Sequence, residues 1–367
     1  MTATPELQKA SQRLLSLDFL RGFIMVLLVM DASGLFGITK YTEGFIHDFF
    51  VQFHHHPWHG LRFWDLIQPG FMFIAGTAMA FSLNKQYANG RSWHDSFIKA
   101  LKRSGWLFFW GVLDYAVRTD GLSFELWNVL TQLSFTMLIA FLVFRWSYLQ
   151  QILFCVGLLL LTEVLYRFVG IPGFDQPFTD QHNFGNWMDL ILMNKINGGG
   201  WVAINCLPTA VHTIGGALAG KWLLNNKDQV IPIIIWAMIT LFIGYVLDWI
   251  SITPIIKRIA TSSFTLASLG WCLLGLVFCY WWIDMRDHKK YLKFFTIVGM
   301  NSIFIYVVFE IIGYRWLHGY VRAITDGITG WFNTPEVLQL IIGSIAIFGI
   351  YWYLCYWLYQ KKIFFKL

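Results

Sequence analysis

Long apolar stretches dominate this chain, and short polar segments separate them. They lie at about 14–36, 64–84, 104–118, 126–144, 148–169, 201–223, 229–250, 263–283, 295–316 and 335–358. Runs of about 18 or more apolar residues are what a helix needs to cross a bilayer. The pattern predicts an all-α polytopic membrane protein of about ten transmembrane helices. It reads as one domain over 1–367, with no soluble module, repeat or low-complexity tract. No stretch reads as a cleavable signal peptide, because Asp18 and Arg21 interrupt the first apolar run and no small-residue cleavage site follows it.

Composition agrees with this reading. Of the 367 residues 57% are hydrophobic and only 13% charged, about half the charged share of a soluble domain. The formal net charge of +6 does not point to nucleic acid. With residue 1 in the cytoplasm, the Lys and Arg concentrate in the segments that face inward, which predicts N-in, C-in. Residues 1–12 then form a polar cytoplasmic lead, 37–62 an outer loop, and 99–103 part of a basic inner loop that carries Lys102 and Arg103. The five cysteines, Cys155, Cys206, Cys272, Cys279 and Cys355, fall in or beside apolar runs. Their odd number and lack of paired metal-type spacing predict packing roles rather than a disulfide framework or a zinc site.

The chemistry concentrates in the loop between the first two spans. FHHHPWHGLRFWDLIQPGFMFIAG, 53–76, places His54, His55, His56 and His59 within six residues. A solvated loop with interfacial Trp58 and Trp64 is one reading. Metal binding is a weaker one, since no Cys and few acids accompany the histidines. Acid–base catalysis is the third, because imidazole takes and gives protons near neutrality.

Charged groups at membrane depth are costly and need partners. Asp18 with Arg21 and Glu163 with Arg167 are spaced to pair along one helix face. Asp31, near the outer end of the first span, and Glu310, in the ninth, have no neighbouring base in sequence. Asp65 opens the second span, where an acid also caps the helix. His212 reads as a packing histidine. Asn301 and Ser302 supply interhelical hydrogen bonds, and Gly215, Gly216 and Gly220 permit close helix approach.

Five segments together resemble the heparan-α-glucosaminide N-acetyltransferase family, which includes bacterial aminosugar acetyltransferases. They are RLLSLDFLRG at 13–22, HHPWHGLRFWDLIQPGFMFIAG at 55–76, NCLPTAVHTIGGALAGKWL at 205–223, PIIKRIATSSF at 254–264 and GMNSIFIYV at 299–307. The resemblance implies a transmembrane acyltransferase bundle in a bacterial inner membrane. Cytosolic acetyl-CoA would be the donor, and the amine of a terminal glucosamine, free or on a glycosaminoglycan oligosaccharide, the acceptor on the periplasmic side. The family's catalytic histidine precedes the loop tryptophan by three positions, which selects His55 through Trp58. This chain departs from the family in His59, where Asn follows the tryptophan, and in Asp31, where Asn is usual.

The chemistry of the residues fits beside the resemblance: His55 is the general base for direct transfer, the favoured route, or is acetylated first and passes the group on, and Asp31 holds its tautomer or binds the ammonium. Asp65, Trp58, His56 and Glu310 are the candidate acceptor contacts and Asn301, Lys102 and Arg103 the candidate acetyl-CoA contacts, the charge of the basic inner loop being equally well explained by topology. No metal and no nucleic-acid partner are expected, and a homodimer is compatible with the layout. A proton-coupled aminosugar transporter and a glycan O-acyltransferase are the competing readings. Gly/Pro-interrupted helices in corresponding halves would favour a transporter, and no such symmetry is evident.

Overall fold

A computed structural model describes residues 14–118 and 122–365; the polar lead at 1–12 lies outside the described residues. Among those described the chain is helical, with no strand. The helices are α1 (Leu15–Ala32), α2 (Gly44–Val51), α3 (Ile67–Ala88), α4 (Trp93–Ala116), α5 (Val129–Val143), α6 (Tyr148–Phe168) and α7 (Phe184–Met193). They continue with α8 (Cys206–Asn225), α9 (Ile231–Trp249), α10 (Ser262–Cys279), α11 (Leu292–Met300), α12 (Ser302–Val308), α13 (His318–Gly330) and α14 (Glu336–Gln360).

Five segments are long and apolar enough to cross a membrane: Phe63–Ala88, Tyr148–Phe168, Ile231–Trp249, Ser262–Met285 and Glu336–Gln360. Two bent pairs bring the number to seven if each is one span. These are Leu15–Ala32 with Leu35–Tyr41, bent by 52°, and Leu292–Met300 with Ser302–Gly330, bent by 72°. The other three predicted stretches are also helices, but each falls short for a visible reason. Helix α4 carries Asp95, Lys99, Lys102, Arg103 and Asp114, α5 has only 15 residues, and α8 mixes Gly, Thr and His212 among its apolar residues.

The structure corrects three local expectations. The predicted third span, 104–118, begins much earlier, so Lys99, Lys102 and Arg103 stand on α4 rather than in a loop. Ser92 starts that helix by accepting the backbone N–H of Asp95 at 3.0 Å. The segments 37–62 and 171–200, expected as loops, contain α2 and α7, and Asn183 caps α7 with a reciprocal bond to Asn186. The predicted ninth span breaks at Asn301, which is 1% exposed. Its amide donates to the carbonyl of Ile363 at 3.1 Å and accepts the N–H of Phe365 at 2.9 Å. Asn301 therefore clasps the tail of the chain at the bend and is not open to a ligand.

Glycines set the closest helix contact. A Cβ on Gly76 of α3 would lie 1.8 Å from the carbonyl oxygen of Thr213, and one on Gly216 of α8 would lie 2.0 Å from that of Phe73. Backbone thus meets backbone reciprocally, which glycine alone allows. Around this contact Met72, Phe73, Met79, Met137, Phe141 and Ile214 form the larger core. A second core joins α1 to α11 and α14 through Met25, Val29, Ile297, Ile347 and Tyr351. The carboxyl end of α1, the start of α3 and the end of α4 together wall the cavity described next.

Candidate active site

The histidine loop is pinned at several points. Phe36 and Phe53 stack at 4.6 Å between ring centres, with Trp64 edge-on to Phe36 at 5.5 Å. The N–H of Gly60 donates to the carbonyl of Ile255 at 2.8 Å, and His59 Nε2 lies 2.6 Å from Asp248 Oδ1. The last two contacts fasten the loop to Asp248, at the end of α9, and to Ile255 in the turn that follows it.

The four histidines separate into different environments. His54 Nε2 faces the Phe36 carbonyl at 3.0 Å and Thr39 Oγ1 at 3.1 Å. The His56 ring packs against Gly60, where a Cβ would meet its Nε2 at 2.6 Å. His59 is exposed and pairs with Asp248. Only His55 lines the cavity, which has a volume of about 260 Å³.

His55 is held by one nitrogen. Its Nδ1 is 3.0 Å from Asp65 Oδ1 and 3.0 Å from Lys257 Nζ, and Nζ is 3.5 Å from the same carboxylate oxygen. Asp65 is 1% exposed and Lys257 5%, whereas the His55 side chain keeps 42% of its surface accessible. The second oxygen of Asp65 accepts the backbone N–H groups of His56 at 3.2 Å and Arg62 at 3.0 Å. That fixes the carboxylate before it fixes the ring. Nε2 of His55 has no partner among the described residues and is the atom left for a ligand.

Electrostatics match this geometry. Burial and the Lys257 charge hold the His55 imidazole below its ordinary value, against the pull of Asp65. Burial brings Lys257 down to about 8, with Asp65 again opposing. An imidazole so placed is neutral, and a base, at pH 7.

The rest of the cavity wall includes Asp31, Glu310, Asp114, Trp64, Trp127 and Trp201. Asp114 is engaged, accepting from Asn128 Nδ2 at 2.8 Å with Arg315 at 3.8 Å. Neither the Asp31 nor the Glu310 side chain has a hydrogen bond or ion pair among the described residues. Trp201 meets the His55 ring edge-on at 5.5 Å.

Several expectations change here. Asp65, read as an acceptor contact, is the carboxylate bonded to His55, and Asp31, read as its orienter, lines the same cavity without touching it. Trp58 is not a cavity residue. Its Nε1 donates to the Phe178 carbonyl at 2.9 Å, and it packs with Tyr166, Phe184, Val202 and Ile256. His56 lies off the cavity as well. Sequence reasoning missed Lys257, Asp114 and Trp201. The signal for Lys257 was present in PIIKRIATSSF, but a lysine in an outer turn reads as ordinary surface charge.

A second, larger cavity of about 1070 Å³ includes Arg91, Lys99, Lys102, Arg103, Trp106 and Phe365 in its wall. Lys102 and Arg103 therefore share one wall, as expected, with Asp95 the acid among them. The Arg103 Nε is buried without a partner, which suits an anion. Phe365, delivered by the Asn301 clasp, stacks on Phe304 at 4.4 Å. Both cavities are lined by α4 and by the chain from 303 to 310. At about 1.5 Å per residue, Lys102 and Asp114 lie about 18 Å apart along α4.

Compared with known proteins, the chain matches no family model and no curated sequence. Among the described residues no group of three or more His, Cys, Asp or Glu is arranged to hold a metal ion.

Proposed function

We propose that the protein is a transmembrane acetyltransferase that moves an acetyl group from acetyl-CoA to the amine of a glucosamine-type sugar. The observation that carries this reading is His55. It is neutral, anchored by a buried carboxylate through Nδ1, and set in a cavity with two unpartnered carboxylates. A base facing acids suits an acceptor that arrives as a cation and must lose a proton before it attacks. Asp31 and Glu310 offer oxygen acceptors to the ammonium N–H groups, and His55 Nε2 takes its proton. The amine nitrogen then attacks the thioester carbonyl, the C–S bond breaks, and CoA leaves as the thiolate, which takes up the second proton that the nitrogen sheds on becoming an amide.

The basic cavity supplies the donor end. Lys99, Lys102 and Arg103 suit phosphate groups, with Arg103 able to offer its unmet N–H, while Trp106 and Phe304 cover apolar and ring surface. Because α4 lines both cavities, a long thioester arm can run beside it from the cationic groove towards His55. This layout fits about ten spans with both termini inside, the basic cavity on the cytoplasmic face of a bacterial inner membrane and the histidine loop on the periplasmic side. Direct transfer needs no movement of an acetylated side chain and is the simpler route.

The test uses purified protein in detergent with acetyl-CoA and glucosamine, following free thiol and N-acetylglucosamine together. Stoichiometric appearance of both supports the proposal. Thiol release with a hydroxyl-only glycan but none with any amine would move the reading to O-acylation. A transporter would release no thiol with either acceptor.

A further inference from the structure

Two donors and acceptors compete for one atom in this site. The Nδ1 of His55 lies 3.0 Å from both Asp65 Oδ1 and Lys257 Nζ, and a neutral imidazole nitrogen is either a donor or an acceptor, never both. If Nδ1 carries the proton, it donates to Asp65, and the lone pair on Nε2 is available to the cavity. If Lys257 donates to Nδ1, the ring proton sits on Nε2, and the cavity meets a donor. We propose that Lys257 is a positioning residue that sets the tautomer and basicity of His55 by contesting Nδ1 with Asp65.

The surroundings make the contest a balanced one. Asp65 is held by two backbone N–H groups, so it cannot swing towards Lys257 without giving them up. Lys257 is confined as well, at 5.4 Å from the Trp201 ring centre and almost wholly buried. The charged and titratable groups facing the ring are few. Lys257 and Arg258 come from the 250–261 turn. Asp65 comes from the start of the α3 segment, Arg62 donates to the His55 carbonyl at 3.0 Å, and Asp31, Asp114, Tyr115, Arg118, Tyr306 and Glu310 line the same cavity. Of these, Lys257 and Asp65 reach Nδ1. A charged Lys257 disfavours the imidazolium and keeps His55 ready to accept a proton, while Asp65 keeps the accepting nitrogen on the cavity side. Loss of the lysine charge leaves a stronger but more readily protonated base.

The inference rests on His55 acting as the base, so its test must not depend on turnover. Carbethoxylation of neutral imidazole by diethyl pyrocarbonate, read at His55 by peptide mass spectrometry across pH 4.5–8.5, reports its protonation directly. Removing a like charge at hydrogen-bond distance raises an imidazole pKa by about one unit or more. Lys257→Met is expected to move the His55 labelling midpoint up by that amount. Lys257→Arg, which keeps the charge, is expected to leave it low. Arg258→Met serves as a control that removes a nearby charge with no bond to the ring, and its shift is expected to be smaller.

An unmoved midpoint in Lys257→Met, or an equal shift in Arg258→Met, overturns the proposal. Size-exclusion profiles in detergent confirm that each variant is folded, and Lys257→Gln replaces Lys257→Met if that protein is lost. An acetyl-transfer assay on the same samples separates the two claims. A labelling shift with no transfer by the parent protein would refute the transferase reading and leave the Lys257–His55 contest standing.

Discussion

Replacing Asp65 by Asn changes the site's charge and leaves its shape almost intact. Asp65 and Lys257 are both buried, and the carboxylate is the lysine's nearby counter-charge. Removing one partner of a buried pair typically costs about 3–5 kcal/mol, and the amide oxygen, still held by the backbone N–H groups of His56 and Arg62, leaves Lys257 without its counter-charge. The loss depends on pH in a way that identifies its source. Lys257 is depressed to about 8 in the folded protein from its usual 10.5, and without Asp65 it falls further. Below the variant's lowered value Lys257 is charged in both proteins, and the variant bears the full cost. Above about pH 8 it is neutral in both folded proteins, so that part of the difference vanishes. Thermal melts in detergent at pH 6.5 and 9 are therefore expected to differ, with Asp65→Asn several degrees below the parent at 6.5 and close to it at 9. An amide at 65 can also donate to His55 Nδ1, which moves the ring proton to Nε2 and removes the base. Turnover is expected to fall by about 10²–10⁴. Adding Lys257→Met should recover stability but not rate. A stability loss that is the same on both sides of pH 8, or turnover near that of the parent, would refute the reasoning.

His55→Ala is expected to abolish acetyl transfer while the protein still elutes as a folded species, and His56→Ala, whose ring lies off the cavity, to keep most of the activity. Arg103→Ala should raise the KM for acetyl-CoA more than it lowers kcat, because the lost contact binds the donor; an unchanged KM would remove Arg103 from the donor site. Gly216→Leu should lower the melting temperature sharply, since its side chain would start 2.0 Å from the Phe73 carbonyl, and overpacking of this kind costs about 1–3 kcal/mol or more.

The fold was legible where its physics is one-dimensional. Apolar length announces spans such as 148–169 and 335–358, and these appear almost unshifted as Tyr148–Phe168 and Glu336–Gln360. Helix α4 was misjudged because Lys99, Lys102 and Arg103 interrupt an apolar run, and hydropathy does not weigh the cap at Ser92. The Asn301 break was missed because its cause is a tertiary clasp by residues 363–365, which no local pattern encodes. Within the site, His55 and Asp65 share one short segment, and their meeting could be anticipated from it. Lys257 comes to them from a position 202 residues away, and spacing along the chain carries no trace of that. Asp31 has the converse history: its isolation in sequence drew attention, and the structure gives it a cavity wall but no bond to the histidine.

The wiring between the two cavities bears on the choice of route. A transfer through an acetylated His55 would need the donor thioester to reach Nε2, depart, and leave space for the amine in a cavity of about 260 Å³. Direct transfer asks only that thioester and amine meet beside Nε2. On the proposed reading, the walls that the two cavities share, α4 and residues 303–310, would lead a donor arm from the basic groove towards the acids that meet the amine. In this arrangement His55 is required when the amine is present, and it carries no acetyl group when the amine is absent. Incubation with radiolabelled acetyl-CoA and no acceptor, followed by denaturation and peptide analysis, is therefore expected to leave His55 unlabelled. Stoichiometric label on His55 that chases into N-acetylglucosamine would establish the two-step route and place the acids as a site for the second substrate alone.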